Sequence, residues 1–431
     1  MAADNTEPKT TPYTWYSVSL LMAIYTVSLI DRKVPFILVE SIKRDLHLSD
    51  TQIGLISGAI FTLTYSIAGI PIARLADRSV RKNVIVGSLL IWSVLTSFGG
   101  FAQNFWQLAI ARMGVAIGES GATPAAHSII ADIVPKSRRA FAIGLYMTGA
   151  PIGILIGLSV GGIINDLASW RVAMIVLGIP GIVLSVLVLT TLREPPRRAE
   201  ATGKAQPNVL TGLGQLFAQP VFRQLFLGGL LFSASTGAML AFTPAFIIRT
   251  YHLSASQTGL TYGLLAGISG AVGALAGGAL NDRLQTWDIR AGLWLVAACL
   301  AISTPLLAIA FSVHTYPLFL LCLFIPQATG MIYAGPSFSA LQSVFSSRLH
   351  AYATAVFLFA LNGIGLSLGP LIAGMLSDFL TGLGHQDTLK TALFLLAFGK
   401  IWAAVHYLLA ANALRRTDLD RAQAEYAVNQ S

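Results

Sequence analysis

The sequence has 431 residues, of which 55% are hydrophobic and only 11% charged. A water-soluble domain carries about 25% charged residues, so a soluble globule is excluded and the bilayer is the natural solvent for most of the chain. The net charge of +9 comes without a basic-aromatic stripe or a nucleic-acid reading module, which argues against a nucleic-acid partner and fits the basic loops of membrane proteins.

The two cysteines, Cys299 and Cys322, lie in apolar stretches without a CxxC or a Cys/His cluster. No disulfide framework, metal site or cofactor is expected. The opening MAADNTEPKTTP is polar and lacks the charged-then-apolar pattern of a cleaved leader.

A bilayer span needs about 20 mostly apolar residues. Twelve such spans are predicted, giving an all-α membrane protein. The first, Tyr13–Val39, contains IDRKVPF (Ile30–Phe36). The second, Gln52–Ala73, leads into GIPIARLADRSVRK (Gly69–Lys82), and the third is Val84–Ala102. The fourth, Phe105–Ile133, carries ARMGVAIGESGATPAAHSIIADIVP (Ala111–Pro135). The fifth, Ala140–Ile164, carries GLYMTGAPIGILIGLSVGG (Gly144–Gly162), and the sixth, Arg171–Leu192, runs into REPPRR. Spans seven to twelve are Arg223–Ile248, Thr258–Leu280, Ile289–Val313, Tyr316–Phe345, Tyr352–Ser377 and Thr388–Leu414. The polar stretch 193–222 reads as a cytoplasmic linker between a bundle at 1–192 and a bundle with a short tail at 223–431.

The basic residues set the orientation. With both termini in the cytoplasm, inside loops and tails hold 19 of the 28 Lys and Arg, from Lys9, Arg197, Arg198 and Lys204 to Arg348 and Arg421, while the outside loops hold 5. That bias predicts cytoplasmic termini by the positive-inside rule. The Asn-x-Ser sequon at Asn429 falls in the cytoplasmic tail, so the outer loops carry no sign of glycosylation, which favours a bacterial inner membrane.

The halves repeat. RDLHLSDTQIGL (Arg44–Leu55) matches RTYHLSASQTGL (Arg249–Leu260), and LADR (Leu75–Arg78) matches LNDR (Leu280–Arg283), both at an offset of 205 positions. Two parallel repeats of six spans resemble the architecture of major facilitator transporters. The resemblance implies two pseudo-symmetric six-helix bundles with the substrate path near midplane.

Gly69–Lys82 is similar to the signature loop of that superfamily, with Ala73 and Val80 where glycines are usual. Asp77 ends its helix where a carboxylate can meet a neighbouring helix N-terminus and the basic Arg78 and Arg81. Asp282 and Arg283 place the same device in the second half. These five residues are the expected gate; the alternative is that the basic ones only set topology.

Ionisable groups inside spans are costly and are functional candidates by default. Arg112 and Glu119 are seven residues apart and share a helix face. From the rise per residue, Asp31 and Arg112 both lie about 10 Å from the outer face and Glu119 about 10 Å deeper. This predicts an Asp31–Arg112 pair and leaves Glu119 without a partner. Desolvation disfavours a lone carboxylate's charge, as a proton carrier requires. Arg32 either snorkels or meets an anionic head group, His127 is a packing residue or a relay, and Lys400 pairs or snorkels. Pro151 and Gly153 are a candidate hinge in span five, set against simple small-residue packing.

Asp31-Arg32 in span one, ARMGVAIGES and ADIVP in span four, the AP-I-G step in span five and REPPR after span six together resemble the spinster branch of the superfamily. The resemblance implies transport of lysophospholipids or sphingoid lipids with proton coupling. It puts the branch's functional acid on Asp31 and its span-four pair on Arg112 and Glu119. The expectation is a monomeric, proton-coupled transporter of an amphiphilic substrate, with Asp31, Arg112 and Glu119 coupling protons and Arg32, Arg112 and Glu119 near the substrate. The rivals are a drug efflux antiporter, an organic-anion symporter using Arg112 as a clamp, and a non-transporting membrane sensor. No nucleophile-base pattern points to an enzyme.

Overall fold

The computed structural model describes residues 10–196 and 209–429. The side chains of residues 209 and 210, of Asp77, Asp282, Ser347 and Arg348, and of everything after Arg416 lie outside the described residues. The two expected gate carboxylates and the topology charges Lys9, Arg197, Arg198, Lys204, Arg348 and Arg421 are therefore not part of the structural description. Every element among the described residues is a helix. In hydrocarbon a backbone polar group has no water to bond, and a helix satisfies each one within its own segment.

Eleven helices are long and apolar enough to cross a membrane: Pro12–Asp45, Asp50–Ala76, Arg81–Gly99, Lys136–Leu167, Trp170–Thr191, Pro220–Tyr251, Ala255–Gln285, Ala291–Ala310, Tyr316–Val344, Leu349–Gly382 and Thr388–Arg416. The twelfth is the fourth in chain order. It is interrupted, as Phe105–Glu119 and Ala122–Ile133. Ser120 (φ −64°, ψ −18°) and Gly121 (φ −90°, ψ −27°) stay in the right-handed region, so the chain continues in the same sense. The interruption falls directly after Glu119.

The sequence repeat has a structural cause. His47 and His252 end their helices in the left-handed region (φ 52° and 54°). Two residues later Ser49 and Ser254 cap the next helix. Ser49 Oγ accepts from Gln52 N at 3.2 Å, and Gln52 Oε1 accepts from Ser49 N at 2.9 Å. Ser254 and Gln257 make the same reciprocal pair, both at 3.2 Å. The shared His-Leu-Ser-x-x-Gln is thus a helix stop and a capping box, built twice.

Small residues let helices close up. Along span five, Gly149, Gly153, Gly157 and Gly161 meet span one. A Cβ on Gly153 would stand 2.7 Å from Leu29 Cβ, and one on Gly157 would stand 3.1 Å from both Cα and O of Ile30. No side chain fits there without moving span one. Span five itself is interrupted at Thr148, three residues before Pro151.

The chain forms two compact units. The first takes in the chain up to the linker together with Ala241–Gly267; the second takes in the stretch ending at Leu240 and the chain from Ile268 onward. The stretch 241–267, in spans seven and eight, thus clusters with the first half rather than with the expected bundle from 223 onward. Each unit has its own apolar core, around Trp92, Leu89 and Ile129 in the first and Phe222, Phe357 and Tyr407 in the second. Part of the expected linker is helical, Val209–Ala218. Its Leu216 is fully buried and its Phe217 ring lies 5.2 Å from that of Phe222, so apolar contact orders it.

Candidate functional site

Three buried ionisable residues meet inside the first unit. Asp31 is 0% exposed, Arg112 1% and Glu119 1%. Arg32, on the turn of span one beside Asp31, supplies the contact that joins the helices. Its Nη2 and Nε donate to Glu119 Oε2 at 2.6 and 3.0 Å, and Ser28 Oγ donates to the same oxygen at 3.1 Å. The other carboxylate oxygen, Oε1, is buried without a hydrogen-bond partner. A carboxylate withdrawn from water is held by a charge-assisted fork on one side only.

The expected Asp31–Arg112 ion pair is corrected here. Arg112 Nη1 donates to the Asp31 backbone carbonyl at 3.1 Å, and neither Asp31 carboxylate oxygen has a hydrogen-bond partner among the described residues. Glu119, expected to be unpaired, is the paired acid. Equal depth did not decide the pairing because neighbouring residues on a helix point about 100° apart. Arg32 takes Glu119, while Arg112 is held elsewhere, with its guanidinium 4.5 Å from the centre of the Phe61 ring.

Span two supplies aromatic faces that sequence reasoning missed. The Arg32 guanidinium lies over Phe61 at 5.3 Å and over Tyr65 at 4.7 Å. Ring faces attract cations and replace some of the lost hydration. A wider π-helical turn at Leu55–Ala59 precedes Phe61, and such turns recur at functional sites. Lys33 Nζ lies 5.0 Å from the Phe36 ring centre. His127 sets its ring edge-on to Tyr146 at 5.1 Å, a packing arrangement.

At the ends of the same unit that the basic residues predict to face inward, Arg81 is the centre of an ionic cluster. It is 2% exposed, donates to Glu194 Oε1 and the Pro195 carbonyl at 2.8 Å and to Ser128 Oγ at 2.9 Å, and pairs with Asp132. The backbone N–H of Lys82 donates to the other Glu194 oxygen at 2.9 Å. Of the expected basic gate residues, Arg81 is engaged, while Arg78 and Arg283 are exposed. Its partners Asp132 and Glu194 were not singled out from sequence, although they lie in the ADIVP and REPPR motifs.

The opposite ends carry a second cluster. Arg249 donates to Glu40 at 2.7 Å and, through both terminal nitrogens, to Asp50 at 2.7 and 2.9 Å. Lys43 also pairs with Asp50. These ties bring the outer end of span seven into the first unit.

Residues 21–374 match the model of the Major Facilitator Superfamily. An MFS-type efflux pump of Mycolicibacterium smegmatis is 36% identical over 410 residues, 95% of each chain. Protein spinster homolog 1 of Rattus norvegicus is 26% identical over 315 residues, which cover 68% of this chain and 60% of the rat protein. The crystal structure of a bacterial homologue of the human lysosomal transporter Spinster, inward-facing and unoccupied, aligns with a TM-score of 0.84 at 27% identity, over 95% of this chain and 99% of that one. Twelve spans, charged side chains buried in the first six and these likenesses converge: the chain belongs to the Major Facilitator Superfamily of transporters, in its spinster-like branch.

Proposed function

We propose that the chain is a proton-coupled transporter of amphiphiles, with lysophospholipids or sphingoid lipids as its substrate class, working by alternating access as a monomer in a bacterial inner membrane with both termini cytoplasmic. The observation that carries this reading is the Arg32–Glu119 pair, in which a half-buried Arg32 holds the fully buried Glu119 beside the unbonded carboxylate of Asp31. Protonating Glu119 removes the charge that holds Arg32. Arg32 is then free to meet a substrate head group, and Asp31, in contact with the Arg112 helix through its backbone, is the second proton site. A proton or substrate shifts the balance of states only by binding one state more tightly, and breaking this pair supplies that difference.

The Arg81 cluster with Asp132 and Glu194 is the inner gate in this scheme, joined by Asp77 and Arg78 and, in the second half, by Asp282 and Arg283. The interruption before Pro151 and the close packing at Gly153 make span five the hinge. In this scheme the two compact units move as bodies, with 241–267 travelling with the first.

A second reading, efflux of diverse apolar drugs by proton antiport, is favoured by the 36% identity to an MFS-type efflux pump over nearly the whole chain. Substrate separates the two. Protein reconstituted in liposomes is tested for substrate-dependent proton movement with a lysolipid panel and with an apolar cationic dye. Lysolipid-dependent proton uptake that is lost in Glu119→Gln and Asp31→Asn supports the first reading. Uptake driven by the dye alone selects the second.

A further inference from the structure

Lys400 has no role in the scheme above. It sits in the last span, Thr388–Arg416, about 18 Å from the outer end and about 24 Å from the inner end by helix rise, which is near midplane. It is 4% exposed. Its helical neighbours three, four and seven positions on are Ala403, Ala404 and Tyr407, all part of the core of the second unit. Lys400 therefore faces the inside of that unit rather than lipid. Its ammonium makes no hydrogen bond and no ion pair among the described residues. The one other ionisable side chain in the apolar run of this span, His406, is already occupied, with Nδ1 2.6 Å from Gln224 Oε1.

Lys400 is the second residue of the last helical segment, just past an interruption at Phe398. The preceding Gly399 abuts span seven, where a Cβ would lie 3.9 Å from Ser235 Cβ. Ser235 is 2% exposed, and its hydroxyl, like that of Thr236, has no hydrogen-bond partner. The contact at Gly399 sets Ser235 against the stretch of span twelve that carries the buried Lys400, and the Ser235 hydroxyl is unbonded among the described residues. An uncompensated charge at this depth is expensive and is kept where something pairs with it. Ammonium and hydroxyl donors are both suited to oxygen anions.

We infer that the second unit holds an anion-binding site at Lys400 and Ser235, which takes the acidic head of a single-chain amphiphile. This rests on the amphiphile reading above and adds a head-group site outside the Arg32–Glu119 network. The apolar surroundings suit the chain of such a ligand, while Lys400 supplies the one buried charge of this unit among the described residues.

The test is thermal unfolding of the full-length purified protein in a non-ionic detergent, with oleate, oleyl alcohol or acetate at matched concentrations. A ligand that binds only the folded state raises the melting temperature with concentration. Oleate is expected to raise that of the wild type by several degrees, with oleyl alcohol and acetate giving less than a third of the shift. Lys400→Met removes an unpaired buried charge, so it melts no lower than wild type when no ligand is added, and it loses the oleate shift. Lys400→Arg keeps at least half of it. An oleate shift that persists in Lys400→Met overturns the Lys400 site and leaves the amphiphile reading standing. Acetate matching oleate overturns the amphiphile as occupant. No shift in any variant with oleate or oleyl alcohol, together with no lysolipid-driven proton uptake in liposomes, overturns both.

Discussion

The interiors of the two units differ in kind. The first holds Asp31, Arg32, Arg112 and Glu119, tied by a fork at 2.6 and 3.0 Å and by aromatic faces. The second is apolar around Phe222, Phe357 and Tyr407, with one buried charged side chain, Lys400, among the described residues. The capping boxes at Ser49 and Ser254 show that the repeat was kept where it stops and starts helices. It was not kept where charges sit: the position matching Asp31, 205 residues on, is Thr236. Elements that shape a bundle are present twice, whereas buried charges cost stability each time and are concentrated in one half.

The largest expected effect breaks the polar interior. Arg32→Ala leaves Glu119 buried without its partner and should cost about 3–5 kcal/mol, the usual penalty for half of a buried pair. Arg32→Ala combined with Glu119→Gln should recover most of that loss, because no charge is then stranded. Thermal unfolding in detergent measures both. If the double variant is no more stable than Arg32→Ala, the pair does not carry the energy assigned to it. In liposomes Glu119→Gln should lower proton-driven transport to the level of protein-free vesicles.

Next is the inner cluster. Arg81 serves two carboxylates, a hydroxyl and a carbonyl at once, which only a planar guanidinium can do. Arg81→Ala is expected to lose about 3 kcal/mol. Arg81→Lys should recover less than half, since an ammonium cannot reproduce the fork. Full rescue by lysine would mean that only the charge matters.

Packing comes third. Gly157→Val places side-chain atoms against the Ile30 backbone and should cost about 1–3 kcal/mol. Gly267→Ala, in span eight, meets open space and should cost nothing. Equal effects at the two sites would contradict the close approach of spans one and five.

How much of this was legible follows from what each feature needs. Spans depend on local composition, so all twelve were readable, including Phe105–Ile133, whose interruption after Glu119 makes it two short helices. The repeat was readable because a helix stop and a capping box fix residue types over six positions. Burial of Asp31, Arg112 and Glu119 followed from their place in apolar runs. Their pairing did not, because depth along a helix says nothing of direction around it, and Arg32 lies one position from Asp31. Phe61 and Tyr65 were invisible, since an aromatic in a membrane helix has the same signature whether it faces lipid or a cation. Asp132 and Glu194 stood inside motifs already noted, but their meeting on Arg81 spans 51 and 113 positions and is a tertiary fact.

The smallest expected effect lies outside the membrane, in the loop between spans eight and nine. Arg290 holds Asp288 with its Nη2 at 2.7 Å and its backbone N–H at 2.7 Å, and these bonds lower the carboxyl to about 2. A depressed acid stabilises the fold above its unfolded value near 3.8 and loses that contribution as pH falls through about 2. At neutral pH the contribution is fully present, yet the pair is only half-buried and is screened by solvent. Asp288→Asn should therefore change stability by only a few tenths of a kcal/mol. Comparing its melting temperature with wild type at pH 7 and again near pH 3 checks the sign, because the difference should shrink at the lower pH. A loss as large as that of Arg32→Ala would erase the distinction between surface pairs and the buried network, and with it the reason to seek the coupling machinery in the first unit.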